Sequence, residues 1–156
     1  MKTIEELKKH FPNIEFSDKY VEILKYIREN NNAKLSIQGN AGSGKSTLLK
    51  IINYMFSDDV ENKRMNVAIA SSTGVASALL NNNSNIGAIT VHSLFALKPT
   101  DIFGTFTNSY YKQKDLIANI DCFIIDEISM VSADLFDYIM QIIRVCRRSK
   151  PTRIIL

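Results

Sequence analysis

An α/β domain built on a mainly parallel sheet, with helices on both faces, is the fold class this sequence predicts. Three observations carry that expectation. Short apolar runs rich in β-branched residues alternate with longer segments of helical periodicity. A glycine-rich turn stands between the first such run and the helix that follows, and a later run ends on two adjacent carboxylates. Right-handed crossovers in such a fold place ligands at the carboxyl ends of the strands, and both the glycine turn and the acidic pair fall at those ends.

The elements follow in order. Residues 18–29 carry Tyr20, Val21, Ile23, Leu24 and Ile27 at helical spacing, with Ser17 and Asp18 as cap residues and asparagines at 30–32 as the stop. Leu35–Gln38 reads as a short strand, and Lys45–Phe56 as a helix whose apolar positions (Leu48, Leu49, Ile51, Ile52, Met55, Phe56) demand burial against a sheet. Val67–Ala70 and Cys122–Ile125 read as buried parallel strands. Residues 133–148 place Leu135, Ile139, Ile142, Ile143 and Cys146 on one helical face, and Arg153–Leu156 reads as a further strand. The asparagine tracts at 30–32 and 81–83 are expected to be loop tips.

Composition bounds what such a domain can do. With 156 residues, 46% of them hydrophobic and 22% charged, the chain can bury a core of its own. A net charge of +3 does not announce a polyanion partner, and the basic residues Arg144, Arg147, Arg148, Lys150 and Arg153 are expected to be a solvated helix face and turn. Cys122 and Cys146 sit in apolar runs without metal-ligand spacing, so reduced core thiols are expected, with no structural metal and no disulfide. The first nine residues are charged, and no apolar run approaches the roughly 18 residues of a membrane span, so a soluble intracellular protein without a membrane partner is expected.

Gly39-Asn-Ala-Gly-Ser-Gly-Lys-Ser46 matches the phosphate-cradle pattern G-x-x-x-x-G-K-[ST] in full, after a strand and before a helix. Glycines let the backbone wrap until successive N–H groups converge on phosphate oxygens at a helix N-terminus. The expected nucleotide-binding residues are Gly39, Asn40, Ala41, Gly42, Ser43, Gly44, Lys45, Ser46 and Thr47, with ATP and Mg²⁺ as cofactors. Lys45 would reach the β- and γ-phosphates, Ser46 would place a hydroxyl on Mg²⁺, and Thr47 would reach the α-phosphate. Asp126 and Glu127 close the apolar strand; Asp126 would orient Mg²⁺ and Glu127 would act as general base on the attacking water.

The segments between these motifs carry a resemblance. Gly39–Thr47, Ala70-Ser-Ser-Thr-Gly-Val-Ala76, Ile89-Thr-Val-His-Ser-Leu-Phe95 and Phe123-Ile-Ile-Asp-Glu-Ile-Ser-Met-Val131 occur in this order, and together they resemble the PIF/RecD-like superfamily 1 DNA helicases. The resemblance implies a P-loop NTPase fold of the RecA-like type, with residues 1–15 as an extension and 16–156 as the first, ATP-binding motor domain. It further implies contacts from Thr73, Gly74, Thr90, His92 and Ser93 to the phosphates of single-stranded DNA, which suits short hydroxyls and a glycine N–H at strand ends. Replication, recombination or repair and 5′ to 3′ movement are implied in the same way.

Two departures stand out. The family's adenine-reading glutamine is replaced in Phe16-Ser-Asp-Lys-Tyr20, where Tyr20 is expected to be a core residue, and Gln38 is a strand-end residue that does not take over the glutamine's role. The family also continues past a strand like Arg153–Leu156 into a Gly-Asp-x-x-Gln segment and a second motor domain bearing arginine fingers, so an incomplete motor domain is expected. A stand-alone nucleotide- or single-strand-binding module without motor activity is the competing reading. An AAA-type ATPase or a nucleoside kinase is disfavoured by Thr90-Val-His-Ser93 and Asp126-Glu-Ile-Ser-Met130.

Overall fold

In a computed structural model that describes residues 1–40, 42–56, 66–84, 87–98, 108–148 and 150–156, five parallel strands form one sheet in the order β1-β5-β4-β2-β3. The strands are β1 (Lys34–Leu35), β2 (Val67–Ser71), β3 (Ile89–Thr90), β4 (Cys122–Asp126) and β5 (Arg153–Ile155). The helices are α1 (Ile4–His10), α2 (Asp18–Glu29), α3 (Lys45–Phe56), α4 (Gly74–Ser84), α5 (Val91–Leu94), α6 (Asn108–Asn119) and α7 (Ala133–Arg147), with a 3₁₀ turn at Ile128–Met130.

Alternation along β4 builds the two faces. Phe123 and Ile125 point into a cluster with Leu94 of α5 and its C-cap Phe95, Ile117 of α6, and Tyr138, Ile139 and Ile142 of α7. Cys122 and Ile124 point the other way, into a cluster with Leu7, Leu24, Ile27, Leu48, Ile51 and Met55 from α1, α2 and α3. Helices therefore cover both faces, as the buried apolar runs require. Burial pushes the Cys122 thiol up to about 12, which makes it an inert core group. Cys146 is buried as well.

Residues 1–15 contribute to this core. Thr3 caps α1 and forms a reciprocal box with Glu6, and Leu7 is buried against the α2–α3 layer. None of the described helices is long and apolar enough to cross a membrane.

Several sequence expectations need correction. The strand expected at 35–38 is Lys34–Leu35; beyond it the Leu156 amide donates to the Leu35 carbonyl at 2.8 Å and the Ile37 amide to the Leu156 carbonyl at 2.7 Å, after which the ladder stops. Asn81–Asn83 are not a loop tip but belong to the last turns of α4. There the Asn81 side chain accepts from the Ala88 amide at 2.6 Å and donates to the Ala88 carbonyl at 2.8 Å, tying the helix end to the entry of β3. Asn30–Asn32 do form a turn, in which Asn31 accepts from Arg153 at 2.7 Å.

The basic cluster is only partly a solvated face. Arg144, Arg148 and Lys150 are exposed, but Arg147 and Arg153 are buried at 4% and 3% exposure. Arg147 donates to Thr152 Oγ1 (2.9 Å), the carbonyls of Ala118 (2.9 Å) and Pro151 (2.6 Å), and Asp121 Oδ1 (3.2 Å). Arg153 donates to the Ile27 carbonyl at 2.8 Å and lies over the Phe56 ring. A guanidinium enters a protein interior only with its donors matched, and here the carbonyls of Ala118, Pro151 and Ile27 meet them.

Candidate functional site

The chain enters the site from β1. Between that strand and α3 the loop turns through Gly42 and Gly44, whose φ angles of 78° and 85° lie in the left-handed region that side chains avoid. Gly39 is constrained differently, since a Cβ there would stand 2.5 Å from Ser43 Oγ and the serine side chain would have to move aside. Lys45 is the first residue of α3, and its ammonium folds back onto the carbonyls of Gly39 (2.6 Å) and Asn40 (3.1 Å). Ser46 is exposed at the helix start and Thr47 is half-buried behind it. Ala41 lies outside the described residues.

Tyr20 is not a plain core residue. It is half-buried on α2, and its hydroxyl donates to the Gly44 carbonyl at 2.8 Å, the same oxygen that receives the Leu48 amide at 2.9 Å. Desolvation holds the phenol above its ordinary pKa, so it stays a donor. A Cβ on Gly44 would collide with this hydroxyl. The phenol thus latches the loop at the residue where it becomes helix. Its position after the cap Ser17, in the first turn of an amphipathic helix, gives a core signal in the sequence and none for a bond to the loop.

Opposite the loop, β4 delivers Asp126 and Glu127. Burial, reinforced by the charge of Glu127, holds the Asp126 carboxyl above its ordinary range, while the Glu127 amide and the Lys45 ammonium oppose that rise. A divalent cation beside Asp126 would relieve the same penalty, and the chemistry of a carboxylate and the Ser46 hydroxyl fits Mg²⁺, although Ser46 is not among the residues that line the cavity with Asp126. Glu127 stands at φ 55°, ψ 44°, a left-handed conformation without glycine. Strain of this kind persists where a side chain must be aimed.

A cavity of about 320 Å³ joins the two halves, bounded by Gly39 and Lys45 on one side and by Asp126, Glu127 and Ser129 on the other, with Gln38 in its wall. It lies over β5, which separates β1 from β4, at the carboxyl ends of the strands, where ligands of such sheets bind.

Register places the remaining candidates beside it. Ser71 of β2 is paired with Asp126 on one side and with Thr90 on the other. Thr73 and Gly74 follow directly from β2, and Thr90, His92 and Ser93 from β3, so both segments emerge at the end of the sheet that holds the acidic pair. Thr73 Oγ1 accepts from the Ala76 amide at 3.2 Å and Thr90 Oγ1 from the Ser93 amide at 3.1 Å. Each threonine thus caps the helix that follows it. Thr73, Gly74 and Ser93 are exposed, and Thr90 and His92 are half-buried.

This architecture is that of a P-loop NTPase of the RecA-like type. It superposes on unliganded Pif1 from Bacteroides sp. with a TM-score of 0.67 at 27% identity, covering 91% of this chain and 31% of that one. For the Pif1 helicase from Candida albicans the TM-score is 0.66 at 28% identity, covering 91% and 32%. The pattern of the PIF1-like helicase family matches residues 13–154, and the chain belongs to that family. The ATP-dependent DNA helicase Pif1 of Campylobacter jejuni is 36% identical over 131 residues, 78% of this chain and 26% of the relative. The ATP-dependent DNA helicase PIF1 of Saccharomyces cerevisiae is 33% identical over 127 residues, 76% of this chain and 13% of the relative. The PIF1 enzyme of Emericella nidulans is 27% identical over 155 residues, 95% and 20% respectively. The chain thus spans between about an eighth and a third of these proteins.

Proposed function

We propose that this chain is the ATP-binding first motor domain of an ATP-dependent DNA helicase, in which hydrolysis drives translocation along single-stranded DNA and unwinding of the duplex. The observation that carries the reading is the convergence of Lys45 with Asp126 and Glu127 on one cavity. The alignment of Asp126 with Ser71 and Thr90 along the sheet end supports coupling to DNA.

In this reading the amides of the Gly39–Thr47 loop and the Lys45 ammonium bind the phosphates, and Lys45 exchanges its carbonyl partners for phosphate oxygens. Ser46 and Asp126 hold Mg²⁺, which when bound neutralises charge on the β- and γ-phosphates. Glu127 accepts the proton of the attacking water. Thr73, Gly74, Thr90, His92 and Ser93 carry the phosphates of the strand, so nucleotide-dependent shifts at Asp126 reach DNA through adjacent strands. The relatives extend far beyond the matched region, and we assign to a second motor domain the arginine that stabilises the transferring phosphoryl group, worth about 10³–10⁵ in rate. Residues 1–15 act as an extension that braces α3, and recombination or repair is the process served.

Isothermal titration with Mg·ATP tests the core of this reading. Lys45→Ala is expected to weaken binding at least about tenfold, or about 1.4 kcal/mol; equal affinity would remove Lys45 from the site. Tyr20→Phe is expected to weaken binding about three- to tenfold by releasing the loop at Gly44, a cost in the ~0.5–1.5 kcal/mol range of one hydrogen bond. Unaltered affinity in that variant would show that the phenol packs without holding the loop.

A further inference from the structure

Positive charge gathers a second time on this chain, at the opposite end of the sheet. A cavity of about 300 Å³ opens where α7 ends and β1 and β5 begin. Lys34, Arg144, Arg148 and Lys150 stand around it, all exposed, and no acidic side chain is among its lining residues. Met140 and Ile143 contribute apolar surface. Arg147 also reaches the cavity, but its donors are committed to Thr152, Asp121 and the carbonyls of Ala118 and Pro151.

Cations at the C-terminal end of a helix have an ordinary explanation in the helix dipole, and Arg144 and the C-cap Arg148 fit it. Lys34 and Lys150 do not. Lys34 opens β1 and Lys150 lies in the turn beyond α7. Arg148 stands at φ 49°, in the left-handed region that side chains avoid, where glycine is the usual helix stop. Two separate elements thus converge their charges on one concavity.

We infer that this cavity binds the phosphate backbone of a nucleic-acid strand, as a contact additional to the strand-end surface at Thr73, Gly74, Thr90 and His92. The inference rests on the DNA-acting reading above. Cations set along two elements suit a chain of regularly spaced phosphates more than a single small anion, and the half-buried Met140 offers apolar surface to the sugars that come with them. Such contacts are tolerant of sequence and sensitive to salt. The two surfaces lie at opposite ends of the parallel sheet, one where β1 and β5 begin and the other where β2 and β3 end, and a five-residue strand such as β4 spans on the order of 15 Å. Substitutions at one therefore leave the other intact.

Fluorescence anisotropy of the 156-residue chain with a labelled oligothymidylate, at about 50 and about 200 mM salt, tests the inference. The combined Arg144→Glu, Arg148→Glu and Lys150→Glu variant is expected to weaken binding at least about tenfold at the lower salt. Its salt slope should be shallower by about two, from ~0.7 for each of the lost phosphate contacts. Lys34→Glu alone, on the other element, should weaken binding about threefold and serves if the combined variant misfolds by circular dichroism. Arg144→Lys with Arg148→Lys should keep most of the affinity, and Lys9→Glu on α1 all of it. Wild-type affinity in both the combined and the Lys34 variants overturns the inference. So does displacement of the oligonucleotide by polyglutamate as effectively as by unlabelled DNA, which would point to an acidic protein partner. If His92→Ala weakens binding while the cavity variants do not, the cavity assignment falls and the DNA-acting reading stands. If wild-type chain binds no oligonucleotide at the lower salt, both fall together, and the Lys45 titration still judges the nucleotide site.

Discussion

Replacing Glu127 with glutamine is expected to lower ATP turnover by about 10²–10⁴-fold while leaving Mg·ATP affinity near that of the wild type, because it removes a proton acceptor and little else. The amide keeps the size of the carboxylate, and the Asp126 carboxyl proposed to hold the cation is untouched. Wild-type turnover of the 156-residue chain is itself expected to be slow. Among the described residues no arginine lines the cavity with Lys45 and Asp126, and the buried Arg147 and Arg153 are held in the interior by other partners. Phosphate release must therefore be followed under single-turnover conditions, with the nucleotide bound before the count begins. Glu127→Gly separates catalysis from backbone strain. It removes a side chain from φ 55° and should raise stability by roughly 0.5–1 kcal/mol while abolishing turnover as thoroughly as glutamine does. Turnover in Glu127→Gln within a few-fold of wild type would take the general base away from this residue. A destabilised Glu127→Gly would show that the left-handed backbone is not a cost carried for the side chain.

The parts of this site that were legible in the sequence are the ones imposed by local rules. The glycines of 39–44 followed by Lys45 and Ser46 demand one loop geometry, and the apolar run of 122–125 demands a buried strand whose end must place Asp126 and Glu127 at the rim. What escaped depends on residues distant in sequence. Tyr20 meets Gly44 only because α2 packs beside the start of α3, and nothing near Tyr20 announces a hydrogen bond to a loop so far along the chain. The left-handed Glu127 carries no glycine or asparagine to mark it. The helical state of Asn81–Asn83 was hidden because asparagine favours turns locally, whereas here the Asn81 amide bonds to both sides of Ala88 and makes the helix end useful. The adenine-reading position is the reverse case, since the family pattern marked residue 20 and the tyrosine found there does structural work on the phosphate loop.

Arg147 is where charge patterning misleads most, and its substitution decides between a solvated face and a structural tie. Arg144, one turn earlier on α7, is exposed, so Arg144→Ala is expected to change stability by no more than about 0.5 kcal/mol. Arg147→Ala is expected to cost about 2–4 kcal/mol. The change leaves the Pro151 carbonyl and Thr152 Oγ1 without the donors that meet them at 2.6 and 2.9 Å, and deprives Asp121 of its ion pair at 3.2 Å. Asp121 is about a third exposed and can recover water, which holds the estimate below the full cost of orphaning a buried charge. For a chain of this size the loss corresponds to a fall in melting temperature of roughly 5–15 °C, read by calorimetry or near-ultraviolet circular dichroism. Arg147→Lys should fall between the two, because an ammonium keeps the charge but cannot join the Ala118–Asp121 segment to Pro151 and Thr152 from one planar fork. The consequence extends to the nucleotide site. Arg147 holds the turn that feeds β5, and β5 is the strand inserted between the loop-bearing β1 and the acid-bearing β4. A loosened turn there should weaken Mg·ATP binding without any contact to the nucleotide. Equal melting temperatures for Arg144→Ala and Arg147→Ala would return the whole cluster to the surface and remove this tie from the account of the fold.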